Sequence, residues 1–440
     1  MRRATLFLGT VLALTAAGAA SSQPPAAQRS AGMRLEKIVT VSRHGVRSPT
    51  KAPEDLARSS DKPWPQWPVA PGILTEHGER DVRLMGQWLR TDYARRGLWP
   101  ASGCLPTGAV YSWGDAKDQR TRVSGQAMLD GAFPGCSLKA AFGPEGHTDP
   151  IFSAASAGAC PMDADEARKA ILERAGGDLN RLGPGYQAAL AALQAIMRPG
   201  ALPPADSNGL RAGGEDGLRL NGPLSDGSTL SENLFLEYAQ GLPMDQVGWG
   251  QVGSEAGLAK VMPLHDRFSD LTRVDPYIAR HNGALVMRAV LTALEGKPAL
   301  PGQGGAGTAW TAIAGHDTQL ANLSGILGVD WTLAGQPDRT PPDATLVFEL
   351  WRKPDGGRVV KLALVYQTLD QLRGETRLDA AHPAGRVELA VPDCGGAGGE
   401  CALAAFETLI ASRLPPSCVA GAPARGGRPR AEGAEAPTKP

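Results

Sequence analysis

The chain lacks an excess of charge of either sign. Lys+Arg and Asp+Glu both number 45 in 440 residues, so the formal net charge is zero. No molecule-wide field draws it to nucleic acid or to a membrane surface, and any anion site must be a local cluster. It also lacks metal-ligand spacing. Its six cysteines and seven histidines form no C-x-x-C and no H-x-x-x-H pair, which argues against a metal site. No long apolar run follows residue 22, so no further membrane-spanning helix is expected. No internal repeat is present.

What the chain does have begins with an export signature. Arg2 and Arg3 precede a small, apolar stretch over residues 6–20, and Ala17-Gly18-Ala19 offers an A-x-A cleavage pattern. We read residues 1–22 as a signal peptide and expect a periplasmic or secreted protein. Cys104, Cys136, Cys160, Cys394, Cys401 and Cys418 are an even set in an exported chain, which suggests disulfides. Spacing alone favours only Cys394 with Cys401. With 42% hydrophobic residues, a sizeable core is expected.

Apolar runs over 35–41, 310–314, 345–351 and 359–367 read as strands, the last two joined by the turn Lys353-Pro354-Asp355-Gly356-Gly357. Helical spacing appears over 79–93, 122–133, 165–198, 230–240, 255–271, 278–294 and 403–414. Residues 199–228, rich in Gly, Pro, Asp, Asn and Ser, read as a long loop. Strands and helices mix at both ends of the chain around a mostly helical middle. This pattern predicts a discontinuous α/β domain over 33–150 and 272–418, a helical insertion over 151–271, and a disordered tail over 419–440.

The densest chemistry is Arg43-His44-Gly45-Val46-Arg47-Ser48-Pro49, directly after the first strand. Two permanently charged guanidinium groups flank an imidazole, an arrangement suited to phosphate. Gly45 lets the backbone approach a bound group closely. The arginines disfavour imidazolium, so His44 should stay neutral and nucleophilic in acid. A second segment repeats the layout: Ala314-Gly315-His316-Asp317 follows a short strand and opens a helix, whose N-terminus favours an anion. Together these residues make a phosphoryl-transfer site. His44 attacks phosphorus, Arg43, Arg47 and His316 hold the oxygens, and Asp317 protonates the leaving alcohol. Because a protonated Asp is scarce at neutral pH, an acidic optimum is expected. His77, His147, His265, His281 and His382 read as ordinary surface or core residues.

The first motif fits the R-H-G-x-R-x-P signature of histidine acid phosphatases, and Gly315-His316-Asp317-Thr318 resembles their proton-donor motif. The resemblance covers about residues 34–418 and is nearest to bacterial periplasmic phytases and glucose-1-phosphatases. It implies an α/β phosphoglycerate-mutase-like domain with an inserted helical lid, and no metal or organic cofactor. It further implies pairings of Cys104 with Cys136, Cys160 with Cys418 and Cys394 with Cys401. Arg120, in Asp118-Gln119-Arg120-Thr121-Arg122, falls where a third phosphate-binding arginine is expected. Thr50 and Lys51 match positions that contact further substrate phosphates, and Glu232 falls where the lid contributes a pocket carboxylate. Residues 322–342 look phytase-like, whereas residues 243–250 look more like glucose-1-phosphatases. Gln319 departs from the usual Asn. The expected activity is acid phosphomonoester hydrolysis, with phytate as the leading substrate and glucose-1-phosphate or other sugar phosphates as the alternative. A monomer is expected. A binding protein for phosphate esters would need the arginines but neither His44 nor Asp317.

Overall fold

The computed structural model describes residues 32–213 and 217–419. The signal peptide over 1–22 and nearly all of the tail expected over 419–440 lie outside them. The strands in chain order are β1 (Arg34–Arg43), β2 (Val110–Gly114), β3 (Ala141–Phe142), β4 (Gly209–Ala212), β5 (Leu218–Asn221), β6 (Trp310–Gly315), β7 (Thr345–Arg352), β8 (Arg358–Tyr366), β9 (Gly385–Leu389) and β10 (Cys401–Ala402). The main sheet runs β10-β8-β7-β1-β6-β2-β3, with β9 also paired to β8. β1, β6, β2 and β3 are mutually parallel, whereas β7 and β8 are antiparallel additions on the other side of β1. Ile38, Val39 and Val41 are fully buried, as expected of a strand covered on both faces.

The helices are α1 (Pro53–Leu56), α2 (Glu76–Arg95), α3 (Gln119–Ala132), α4 (Ala164–Arg174), α5 (Pro184–Ile196), α6 (Pro223–Ala239), α7 (Glu255–Val261), α8 (Pro263–Ser269), α9 (Pro276–Asn282), α10 (Ala284–Leu294), α11 (Asp317–Leu327), α12 (Leu369–Arg373), α13 (Leu403–Arg413) and α14 (Pro416–Val419). α2 illustrates their local logic. The Thr75 hydroxyl accepts from the Gly78 N–H, acidic residues occupy the first turn, and Val82, Met85, Leu89 and Tyr93 form the buried stripe. α2 and α3 pack on one sheet face over Ile38, Trp310 and Val347. α10, α11 and α13 cover the other over Val39, Ile313 and Phe348. Helices α4–α8 gather a third core of their own, which includes Leu190, Leu193, Leu234, Phe235 and Leu264.

One expectation fails in the middle of the chain. Residues 199–228 are not one long loop: β4 and β5 form a hairpin, and α6 begins at Pro223, seven residues before the apolar spacing suggests. Gly222, at φ 104°, and Pro223 are a helix-start pair. The small residues that follow read as loop but are packed: a Cβ on Gly227 would lie 3.0 Å from the Leu264 side chain of α8. The helical stretch read over 165–198 holds two helices, α4 and α5, separated where Gly176 and Gly177 take positive φ. The three disulfides join Cys104 to Cys136, Cys160 to Cys418, and Cys394 to Cys401. Among the described residues no helix is long and apolar enough to cross a membrane.

Candidate active site

Three neighbouring parallel strands end at the same edge, and each delivers part of the site. β1 ends in Arg43 and His44. β6 ends before His316 and Asp317. β2, which sequence periodicity did not reveal, ends before Asp115, Asp118 and Arg120. Arg43 pairs in register with Gly315, and the His44 N–H donates to the Gly315 carbonyl at 2.9 Å. The carboxyl ends of parallel strands are the usual ligand edge of an open α/β sheet.

His44 is buried. Its Nδ1 lies 2.8 Å from the Gly45 carbonyl, which can only accept. Nδ1 therefore carries the proton, and Nε2 presents its lone pair. The His316 ring stands edge-on, with centroids 5.4 Å apart. Burial is the largest cause pushing the His44 pKa well below the ordinary histidine value, followed by Arg120, His316, Arg43 and Arg47. The flanking arginines, which alone motivate a neutral His44 from sequence, are thus the lesser contributors.

The three expected arginines converge. Arg43 is the most buried; its Nη1 donates to Asp338 at 2.9 Å and to the Thr340 carbonyl at 2.5 Å. Arg47 donates to the Ser48 carbonyl at 3.1 Å. Arg120 grips Asp118 with both terminal nitrogens, at 3.0 and 2.9 Å. The Nε of all three is buried and has no hydrogen-bond partner among the described residues. Orphaned charged donors are expensive to bury, and their concentration beside His44 suits an anion.

Glu232 enters from α6 and bridges two of these arginines: Arg43 donates to one carboxylate oxygen at 2.6 Å and Arg47 to the other at 3.0 Å. Burial alone would raise its pKa, but Arg47 and Arg43 bring it down to about 2. It is a carboxylate seated between the Arg43 and Arg47 guanidiniums. Thr50 and Lys51 are exposed at the rim, where Lys51 Nζ lies 3.9 Å from Asp226 of α6.

Asp317 has a partner that the sequence did not reveal. It is paired with Arg273, which sequence reading passed over. Its burial favours the neutral acid, but Arg273, then Arg43, His265 and His316, hold the pKa well below the carboxylate range. His265, read from sequence as an ordinary histidine, lies with Nε2 3.7 Å from Asp317 and Nδ1 3.2 Å from the Ser228 hydroxyl. His316 Nε2 lies 3.1 Å from Asp115 and 3.4 Å from Asp118. Gln319 turns away from the pocket: it accepts from the His316 N–H at 2.8 Å and donates to the Phe152 carbonyl at 2.9 Å, fixing the start of α11.

Gly45 serves a different neighbour from the one expected. A Cβ there would meet the Gly78 carbonyl of α2 at 2.4 Å, and one on Gly78 would meet the Val46 carbonyl at 2.2 Å. The two glycines let the motif and the start of α2 touch backbone to backbone.

The motif geometry and the fold are those of one family, and its model matches residues 34–190 and 231–365. The chain belongs to the histidine phosphatase superfamily, branch 2. Among curated relatives of this histidine phosphatase, the phytase AppA of Escherichia coli is 33% identical over 439 residues, covering 94% of this chain and 98% of the relative. A glucose-1-phosphatase of Salmonella typhimurium is 28% identical over 416 residues, covering 91% and 98%. Among solved structures, a Hafnia alvei phytase in complex with tartrate superposes with a TM-score of 0.83 at 37% identity, covering 88% of this chain and 99% of that one. The family match skips residues 191–230, the stretch that holds the β4–β5 hairpin and the first turns of α6.

Proposed function

We propose that this histidine phosphatase is an exported, monomeric acid phosphomonoesterase that works through a phosphohistidine, with phytate as its leading substrate. The observation that carries the chemistry is a buried imidazole with Nδ1 tied down, beside three arginines whose buried Nε donors lack partners among the described residues. Similarity to phytases over most of the chain supports phytate as the substrate. In this reading residues 151–271 act as a lid over the strand ends.

His44 Nε2 attacks phosphorus, and the bond from phosphorus to the ester oxygen breaks. Arg43, Arg47, Arg120 and His316 hold the phosphoryl oxygens as charge shifts among them. The leaving oxygen takes a proton from Asp317. Water then attacks the phosphohistidine and gives its proton back to Asp317, and the P–N bond breaks to restore His44. Before the first step the incoming phosphate must take the place of the Glu232 carboxylate between Arg43 and Arg47. Asp317 must also acquire a proton, which acid favours. Thr50 and Lys51 are placed to meet further phosphates at the rim.

The test is phosphate release at acid pH from phytate, glucose-1-phosphate and p-nitrophenyl phosphate, beside His44→Ala and Asp317→Asn. Phytate is expected to turn over fastest. His44→Ala should fall to background, and Asp317→Asn should lose about 10²–10⁴-fold on alcohol leaving groups. Turnover of nothing would leave only a phosphate-ester binder. Turnover surviving His44→Ala would remove the phosphohistidine. Preference for glucose-1-phosphate would overturn the substrate.

A further inference from the structure

We propose that Arg273 is a latch on the proposed acid: it parks the Asp317 carboxylate in the free enzyme and limits how far toward neutral pH the leaving alcohol is still protonated. This rests on reading Asp317 as the acid.

The geometry is built for it. Arg273 lies in a π turn, Asp270–Val274, between α8 and α9. Such turns place a side chain where a regular helix would not, and they recur at functional sites. This turn is held by the helix that carries Asp317. Asn322 of α11 donates to the Arg273 carbonyl at 3.0 Å. A Cβ on Gly325 would meet the Val274 carbonyl at 2.2 Å, so α11 touches the turn backbone directly. Arg273 and Asp317 are thus fixed to one another from both sides, and their side chains form an ion pair. Asp317 is buried, with 13% side-chain exposure, and Arg273 is somewhat more open at 22%, so a substrate group reaches the pair from the arginine's side.

The other groups facing Asp317 come from every surrounding element. They are Arg43 from β1, His265 from α8, Arg120 from α3, His316 beside it and Glu232 from α6. The Thr318 N–H also donates to Asp317 Oδ1 at 2.9 Å. Arg43 and Arg120 are engaged by Asp338, Glu232 and Asp118. Arg273 has no carboxylate partner but Asp317 among the described residues. Its guanidinium otherwise lies 5.8 Å from the Phe268 ring centroid, so its one ion pair is with the acid. The pair also has to open before Asp317 can carry a proton to a leaving group, so whatever draws Arg273 away, including a second phosphate on the substrate, promotes the acid form.

The test compares Arg273→Gln, Arg273→Lys, Asp317→Asn and the parent enzyme, as kcat/KM against pH. The substrates are glycerol-2-phosphate, whose alkoxide needs the proton, and p-nitrophenyl phosphate, whose phenolate hardly does. Removing the cation raises the Asp317 pKa. Arg273→Gln should therefore move the basic limb for glycerol-2-phosphate upward by about one pH unit, roughly a tenfold gain on that limb. It should leave the p-nitrophenyl phosphate limb nearly in place, and Arg273→Lys should keep the parent profile. A residue that merely supports the fold would not split the two substrates. Superposed profiles, or equal shifts with both substrates, overturn the latch; so does Arg273→Lys behaving like Arg273→Gln. If Asp317→Asn fails to slow glycerol-2-phosphate selectively, the acid reading itself fails, and the latch falls with it. A normal Asp317→Asn result beside an unmoved Arg273→Gln limb sinks the latch alone.

Discussion

Each charged residue of the site is defined by what it is paired with. His44 is an unremarkable histidine until Nδ1 is committed to the Gly45 carbonyl and the ring is buried among cations. Glu232 is the clearest case of competition, because its carboxylate already spans Arg43 and Arg47. With its pKa held at about 2 it stays ionised well into the acid range, so the competition persists there. Glu232→Gln keeps the shape and removes the charge. We expect inorganic phosphate to inhibit this variant severalfold more tightly than the parent, because a neutral amide holds guanidinium less strongly than a carboxylate does. Measuring the phosphate inhibition constant checks this. Weaker inhibition would mean that Glu232 chiefly keeps the arginines in place.

Among elements, the decisive contact is between the motif and α2. The Thr75 N–H donates to the Val46 carbonyl at 3.1 Å, the Ser48 N–H to Ile73 at 3.1 Å, and Arg47 bridges Leu74. Gly45 and Gly78 allow this closeness. Gly45→Ala would drive a methyl into the Gly78 carbonyl of a buried, packed helix start. Overpacking of this kind costs about 1–3 kcal/mol, and here it would also displace the Arg43–Pro49 segment. Urea unfolding should show the loss, and KM should rise with it; an unchanged KM would mean that the loop absorbs the methyl without moving. The second element-scale feature is the carboxyl-end alignment of β1, β6 and β2. It brings Arg43, His316 and Arg120, which are far apart in sequence, to one edge of the sheet.

The whole molecule carries several carboxyl groups in places that favour their neutral form. Burial raises Glu237 to about 8, and Asp81 and Asp266 to about 7, and it pushes Asp343 well up. Their folded-state values lie above the unfolded value near about 4. As pH rises from there, the unfolded chain gives up protons that the folded chain keeps, so stability falls, by at most about 1.4 kcal/mol per pH unit for each group. His44 and His281, whose pKa values are lowered, act oppositely, but only below their unfolded value near about 6.5. The expected result is a Tm that declines from about pH 6.5 to 8. Glu237→Gln should flatten the decline, since the amide oxygen can still accept the Gly248 N–H that now bonds to Glu237 at 2.9 Å. A Tm that rises over that range would contradict it. How much of all this was legible follows the same divide between short and long range. The signature around His44, the pair His316-Asp317, and the strands β1, β6, β7 and β8 can be read from the sequence, because apolar runs, turn residues and motif spacing are local. β2 is short and mixed in polarity, and the start of α6 is written in loop-like residues, so neither announces itself. Arg273, His265, Asp338 and the seat of Glu232 were decided only by the tertiary structure. Nothing in the residues beside an arginine or a histidine says which distant carboxylate it will face, since that pairing exists only once the sheet edge and the helical domain have closed around it.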